Sequence, residues 1–412
     1  MKPLNAICAF VSLAALASQA NAQDWNQWRG PHRDARVTGF ESPKVWPKAL
    51  DKKWSIEIGV GHASPLIVGN KIFTFSRQGD DEIARALDLN TGKEIWKNSY
   101  PAPYEMHPAA RGHGKGPKST PTYADGRLYT FGISGVLSCL DAKTGKMVWR
   151  HEYAKQFKQT SPAFGVSVSP LVDKDLVIVH VGGEGDGAVT AYDAKTGAQR
   201  WQWKGDGPAY ASPMVFESDG VRQIITQTQK LCVSLDATTG KLLWSIPFTT
   251  PYEQNVITPI IVRDMIIFAG LQQPAFAIRI KKAGDSWTTS KVWESRDINL
   301  YMNTPVAAGD RLYGMSNKMR GQLFTLDATT GKVLWSDQGR FGDNASVYDA
   351  GSVVLALNTE ADLHVYTKDG DALKETAKYA VADSATWASP AIQGRHLLVK
   401  DLNSLTLWDI PK

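Results

Sequence analysis

The chain has 412 residues, with 46 lysines and arginines against 41 aspartates and glutamates and a formal charge of +5. The excess is mild and no run of five or six like charges concentrates it, so composition argues against a nucleic-acid partner. Fourteen tryptophans are far more than an average globular chain carries, so indoles are packed repeatedly.

The chain opens with MKPLNAICAFVSLAALASQANA: one lysine, an apolar run, and a small-x-small end at Ala20-Asn21-Ala22. It reads as a secretory signal over residues 1–22, cleaved before Gln23, and it is too short and wrongly flanked for a membrane span. No later stretch approaches the roughly 18 apolar residues of a transmembrane helix. An exported protein, periplasmic or secreted, is expected. Cys8 lies inside the signal without a lipid-attachment context. Residues 23–52, beginning QDWNQWRGPHRDARVTG, form a lead-in, and KKWSIEIG (53–60) then reads as a lone strand carrying Trp54.

From there one pattern recurs. Its first half is Ser/Thr-Pro, alternating apolar residues, a Gly or Asp turn and a β-branched run, as in SPLIVGNKIFTF and TPTYADGRLYTF. It starts at Ser64, Thr120, Ser169, Ser212, Thr258, Thr304, Ser346 and Ser389, and only the seventh lacks the Pro, having Val347. The second half is near-verbatim in five copies: ALDLNTGKEIW (86–96), CLDAKTGKMVW (139–149), AYDAKTGAQRW (191–201), SLDATTGKLLW (234–244) and TLDATTGKVLW (325–335). Each unit reads strand, turn, strand, loop, strand, Asp-x-x-Thr-Gly turn, strand, with period-two patterning and turn residues at each joint.

A 42–56-residue period with four strands per unit predicts an all-β fold: a single eight-bladed β-propeller of four-stranded antiparallel blades spanning 53–412. The last unit, ASPAIQGRHLLVKDLNSLTLWDIPK, supplies three strands. The N-terminal strand with Trp54 is expected to complete that blade and so close the ring, removing the free sheet edges. The outer-strand tryptophans are then Trp54, Trp96, Trp149, Trp201, Trp244, Trp293 and Trp335, with Tyr379 in the seventh blade; blade five lost the Thr-Gly turn but kept Trp293. In the repeated turn, the Asp accepts backbone N–H bonds, Gly takes positive φ, and the Trp wedges between blades. Five equivalent acids around a ring make no sense as catalysts, so Asp88, Asp141, Asp193, Asp236 and Asp327 are read as architecture. Cys139 and Cys232 sit in non-adjacent repeats and are read as buried free thiols.

The A-x-D-x-x-T-G-x-x-x-W copies resemble the tryptophan-docking motif of the pyrroloquinoline-quinone (PQQ) repeat propellers over essentially the whole mature chain. That family includes quinoprotein alcohol dehydrogenases, similar in blade number, and the BamB outer-membrane assembly factors, similar in size. The resemblance implies PQQ with calcium as the cofactor in the first case and periplasmic or outer-membrane protein partners in the second. The chain departs from both. It has no Cys-Cys pair of the kind that caps the quinone, no long insertions carrying calcium ligands, and no usable lipobox.

In a propeller the loops leading into the innermost strands surround one mouth of the channel. Two positions before each Ser/Thr start stand His62, Lys118, Ser167, Tyr210, Val256, Met302, Asn344 and Trp387, with Asn255, Tyr301, Asn303 and Asp343 nearby. Loops between the second and third strands add Arg77, His180, Gln227, Gln229, Asn317, Lys318, Asn358, Lys400 and Asp401 to that face. Apolar walls with a few polar anchors suit a small-molecule ligand. The candidate binding set is His62, Arg77, His113, Lys118, Tyr210, Asn303, Asn344 and Trp387. The long connection 99–121 brings His107, Arg111, His113, Lys115 and Lys118, cations suited to a carboxylate, phosphate or quinone acid. As metal ligands, His107 and His113 lack an acidic partner, and no metal site is expected. GEGDG (183–187) is too short for a phosphate or calcium loop, and hydrolase signatures are missing from the sequence.

A monomeric binding or scaffold propeller of the BamB kind is the first functional reading, because it requires no residue that the chain lacks. The alternatives are a PQQ- or quinone-linked oxidoreductase acting on an alcohol or sugar, and a carbohydrate-binding or carbohydrate-active propeller.

Overall fold

The computed structural model describes residues 23–411; the expected signal 1–22 lies outside them. The described residues form eight four-stranded sheets, seven of them built from consecutive strands. The eighth joins Ala391–Gln393, His396–Lys400 and Ser404–Asp409 to the N-terminal strand Asp51–Glu57, which pairs antiparallel with Ser404–Asp409. This is the predicted eight-bladed propeller, closed by the N-terminal strand, with Trp54 opposite Leu407.

The Ser/Thr starts explain how the blades index against one another around the channel. Ser64 N–H donates to Thr120 Oγ1 at 3.1 Å, Thr120 N–H to Ser169 Oγ at 3.0 Å, and Ser169 N–H to Ser212 Oγ at 3.0 Å. Thr258 and Thr304 repeat the contact at 3.2 Å, and the Ser346 and Ser389 hydroxyls bond each other at 2.9 Å. The Thr120, Ser169, Ser212 and Thr304 hydroxyls thus each satisfy a buried amide of the preceding blade, and satisfying such amides is what burial demands. Only Ser and Thr carry that acceptor on so short a stem.

The outer ring works the same way. Trp54, Trp96, Trp149, Trp201 and Trp293 each donate Nε1–H to the carbonyl of the residue after the motif Asp in the following blade: Leu89, Ala142, Ala194, Ala237 and Ala328, at 2.9–3.2 Å. The same rings lie on the motif glycines. A Cβ on Gly145 or Gly240 would sit 2.5 Å from the Trp96 or Trp201 ring, and both glycines have φ of +72°. Glycine therefore serves two needs there, left-handed backbone and room for an indole. The Asp carboxylate takes the Thr amide three residues on, at 2.9 Å for Asp88 and 2.8 Å for Asp236. Donation from the Thr144 hydroxyl and amide holds the Asp141 carboxyl below its ordinary range.

Blade five turns its outer hairpin between Gln273–Ala283 and Ser286–Ser295 without the Thr-Gly motif. Trp244, which faces it, is buried with an Nε1–H that finds no partner. Blade eight has no covalent turn between its outer strands. The lead-in fills the gap: the Tyr379 hydroxyl donates to Pro47 O at 2.7 Å, and Trp46 packs at 6.2 Å from the Tyr379 ring. Cys139 and Cys232 are buried and free.

Residues 24–37 occupy the channel itself, a placement the sequence reading left open. Trp25 pairs with Ile67 of blade one, Asn26 O accepts from Tyr123 N of blade two, and Asp349 of blade seven bonds Ala35 and Val37. Asp24 reaches Gly69 of blade one and Gln393 of blade eight, while Trp28 reaches Thr258 of blade five. The Arg33 guanidinium donates to Ser169 O and Pro170 O of blade three and Pro213 O of blade four; that of Arg29 donates to Thr304 O and Pro305 O of blade six. A short segment bonded to the innermost strands of all eight blades can only lie on the axis. It stoppers the channel.

Candidate functional site

Above the stopper lies a cavity of about 180 Å³. Trp28, Arg29 and Ala35 of the lead-in form part of its lining, and the innermost-strand approaches supply the rest. All eight positions two residues before a Ser/Thr start line it. Of the candidate set, His62, His113, Lys118, Tyr210, Asn303, Asn344 and Trp387 are brought together there.

Arg77 is not. It ends the second strand of blade one, is buried, and donates to Ala102 O at 2.8 Å and Gly79 O at 3.0 Å. The other residues from the loops between second and third strands follow the same rule. His180 bonds Asp206 O at 3.0 Å, Gln227 bonds Ile257 O at 2.5 Å, Asn358 bonds Phe341 O at 3.0 Å, and Lys400 bonds Gly59 O at 3.1 Å. They tie down the chain between blades, because backbone there has no ladder partner and needs one. Asn303 reaches the cavity with its amide already used: Nδ2 donates to Ala345 O, and Oδ1 accepts from Met315 N at 2.9 Å. Of the cations in the connection 99–121, only His113 and Lys118 line the cavity; Arg111 and Lys115 are exposed, and His107 accepts from Ala109 N to cap its own short helix.

Local backbone explains why His62 and Lys118 stand side by side. His62 N–H donates to Pro117 O at 2.8 Å, and a Cβ on Gly116 would lie 2.5 Å from Gly61 Cα. Only glycine allows the two approaches so close. His62 Nε2 then bonds His113 O at 3.0 Å. The Trp387 ring stands 6.1 Å from His62 and 5.3 Å from His113, edge-on to the latter, and Phe164 follows 6.1 Å from His113. Phe164 N–H donates to the Tyr210 hydroxyl at 3.2 Å, and Lys118 Nζ donates to Phe164 O at 2.5 Å.

The electrostatics are one-sided, since among the described residues no aspartate or glutamate lines the cavity. Burial, then Lys118, pushes the His62 imidazole down to about 3; the same two causes lower His113. Burial pushes Lys118 down to about 8, and on the axis it pushes Arg29 down to about 10 and Arg33 to about 9. Desolvation disfavours the charged form of every one of these groups, and only Arg29 has a carboxylate, Asp34, near enough to offset part of it. An anion placed among them would relieve that cost.

Sequence reasoning did not find Trp28, Arg29, Phe164 or Gln254. Phe164 and Gln254 sit in long connections with no repeat register. The role of Arg29 depends on carbonyls about 275 residues away in the chain.

An eight-bladed propeller with one blind, cation-rich cavity at the mouth defines the class of protein. The family model described as outer membrane protein assembly factor BamB matches residues 79–337, and the chain belongs to that family of PQQ-type repeat propellers. Among curated relatives, the chain is 23% identical over 296 residues to outer membrane protein assembly factor BamB of Yersinia pestis, covering 70% of this chain and 72% of that one. It is 25% identical over 349 residues to the quinohemoprotein alcohol dehydrogenase of Comamonas testosteroni; the match covers 82% of this chain but only 42% of that relative's length. Of solved structures, BamB from Moraxella catarrhalis superposes with a TM-score of 0.61 at 17% identity, over 88% of this chain and 98% of that one, which speaks to the fold alone.

The names of several dehydrogenase relatives imply a quinone, and two name a lanthanide. A hard cation takes oxygen ligands, carboxylates chief among them. The cavity offers amides, hydroxyls and cationic groups but no carboxylate, and the described residues hold no group of three or more His, Cys, Asp or Glu able to bind a metal. Calcium or a lanthanide does not fit this wall. The carboxylates of a quinone acid would suit it.

Proposed function

We propose that this chain is an exported binding propeller rather than a quinone-linked oxidoreductase, and that its mouth cavity holds a small anionic molecule. The observation that carries the reading is the blind cavity itself: a lysine, an arginine and two uncharged histidines among aromatic walls, with no acid in the lining to balance the two cations. Family membership supports the binding role, since a relative named as an assembly factor is covered over most of its length.

A second, compatible reading is a BamB-like scaffold holding cell-envelope proteins. It is favoured by Tyr252 and Met319, which are 87% and 64% exposed in short left-handed turns between strands. Large apolar side chains held out on strained backbone are a feature of contact sites.

The test is calorimetry of the purified protein with PQQ and with small carboxylates, with and without Ca²⁺. Binding that is indifferent to a chelator and weakened by Trp387→Ala supports the proposal. Calcium-dependent quinone binding with dye-linked alcohol or sugar oxidation, lost in His62→Ala, would overturn it.

A further inference from the structure

Two lysines stand on the mouth side of the fold, Lys400 buried and Lys118 half-buried, and they are chemically different. Lys400 Nζ donates to Gly59 O, Asp401 O and Leu402 O, which uses all three of its N–H bonds. It is a fastener. Lys118 Nζ has one protein acceptor, Phe164 O, and its remaining directions open into the cavity that it lines. The described ion pairs include none with Lys118, whereas exposed lysines such as Lys291 and Lys378 pair with carboxylates.

We propose that Lys118 is a nucleophilic amine that captures a small carbonyl compound bearing a carboxylate, a 2-oxo acid, as a reversible imine in the blind cavity. The proposal rests on the small-molecule reading above and narrows it. Desolvation is what turns a lysine into a nucleophile. Burial brings Lys118 down to about 8 from 10.5, which leaves about a tenth of the amine unprotonated near neutral pH. The uncompensated positive wall draws in the carboxylate, and Trp387 and Phe164 pack against the remainder.

The step balances without an oxidant or reductant. The Nζ lone pair attacks the carbonyl carbon, a C–N bond forms, and the carbonyl oxygen takes a proton to give a carbinolamine. Loss of the hydroxyl as water, with loss of the nitrogen proton, then gives the imine. The attacking nitrogen passes one proton to the oxygen and its second leaves with the hydroxyl as water, so the step asks no other group to change protonation; the neutral His62 imidazole lines the same cavity as wall.

The experiment incubates the whole protein with pyruvate and cyanoborohydride, reads the intact mass, and maps the modified peptide. Lactate, which has the carboxylate but no ketone, serves as the calorimetric control. One reduced adduct at Lys118 is expected, with a trapping rate that reaches half its maximum near 8 rather than near 10.5. Lys118→Arg keeps the charge and should lose the adduct, with the fold, read by far-ultraviolet circular dichroism, unchanged. Adducts spread evenly over exposed lysines such as Lys115 and Lys155, or unchanged trapping in Lys118→Arg, would overturn the proposal. Lactate binding with no pyruvate adduct sinks the imine and leaves the anion reading standing. If neither compound binds, both readings fail.

Discussion

Replacing Trp201 and Trp244 separately by phenylalanine tests whether the outer ring is held by hydrogen bonds as well as by area. Both indoles are buried to about the same degree, 7% and 6% exposed. Losing the fused ring therefore costs a similar amount of packing at each site, about 1–2 kcal/mol. They differ in one atom's company. Trp201 Nε1 donates to Ala237 O at 3.0 Å, so Trp201→Phe also strands a carbonyl, adding about 1–3 kcal/mol. Trp244 Nε1 has no partner, because blade five lacks the turn that would present one, and Trp244→Phe removes a donor that was already unsatisfied. Trp201→Phe should therefore cost about 2 kcal/mol more than Trp244→Phe. Urea unfolding followed by far-ultraviolet circular dichroism, with equal slopes in the two variants, reads the gap as a midpoint difference. Equal midpoints, or a lower one for Trp244→Phe, would refute the hydrogen-bond account and leave only area.

Gly240→Ala should be markedly worse than Gly220→Ala in the same assay. Both glycines have φ of +72°, but an added Cβ meets the Trp201 ring at 2.5 Å in the first case and nothing within 4 Å in the second. The shared backbone strain is about 1–2 kcal/mol, and the excess measures the ring contact. Acid should destabilise the fold before its carboxylates titrate. His62 and His180 are held down to about 3 and about 4 by burial, so the unfolded chain takes up protons that the folded chain refuses. The histidine contribution to stability is then flat above about pH 6.5 and falls below it, by roughly 2 kcal/mol per histidine around pH 5. His62→Gln should remove about half of that loss, measured by denaturant midpoints across pH; an unchanged slope would count against burial as the cause.

The blades were legible because their signals are local and repeated. Asp, Thr-Gly and Trp keep one spacing through five copies, and each Ser/Thr start marks an innermost strand. Counting two residues back from those starts reached eight cavity residues, since every blade delivers that position to the axis at the same height. Arg77 and Asn303 show where such counting stops. Both lie on the correct face, but Arg77 turns outward to the Ala102 carbonyl and Asn303 spends its amide on Ala345 and Met315. A side chain's partner is a tertiary fact with no sequence spacing. The stopper was illegible for the same reason: Arg29 and Arg33 bond backbone carbonyls, which carry no residue identity to read.

That stopper also bears on the order in which the molecule can assemble. Its partners run from Ile67 to Gln393, and the strand behind it waits for Ser404–Asp409. Residues 24–57 thus reach their final contacts only when the last blade exists. Contacts of such long sequence separation make for slow folding. Until then Trp25, Trp28 and two unsatisfied guanidiniums have no interior to enter. A propeller built this way has a late, ratchet-like final stage, in which filling the axis and closing the circle are one event.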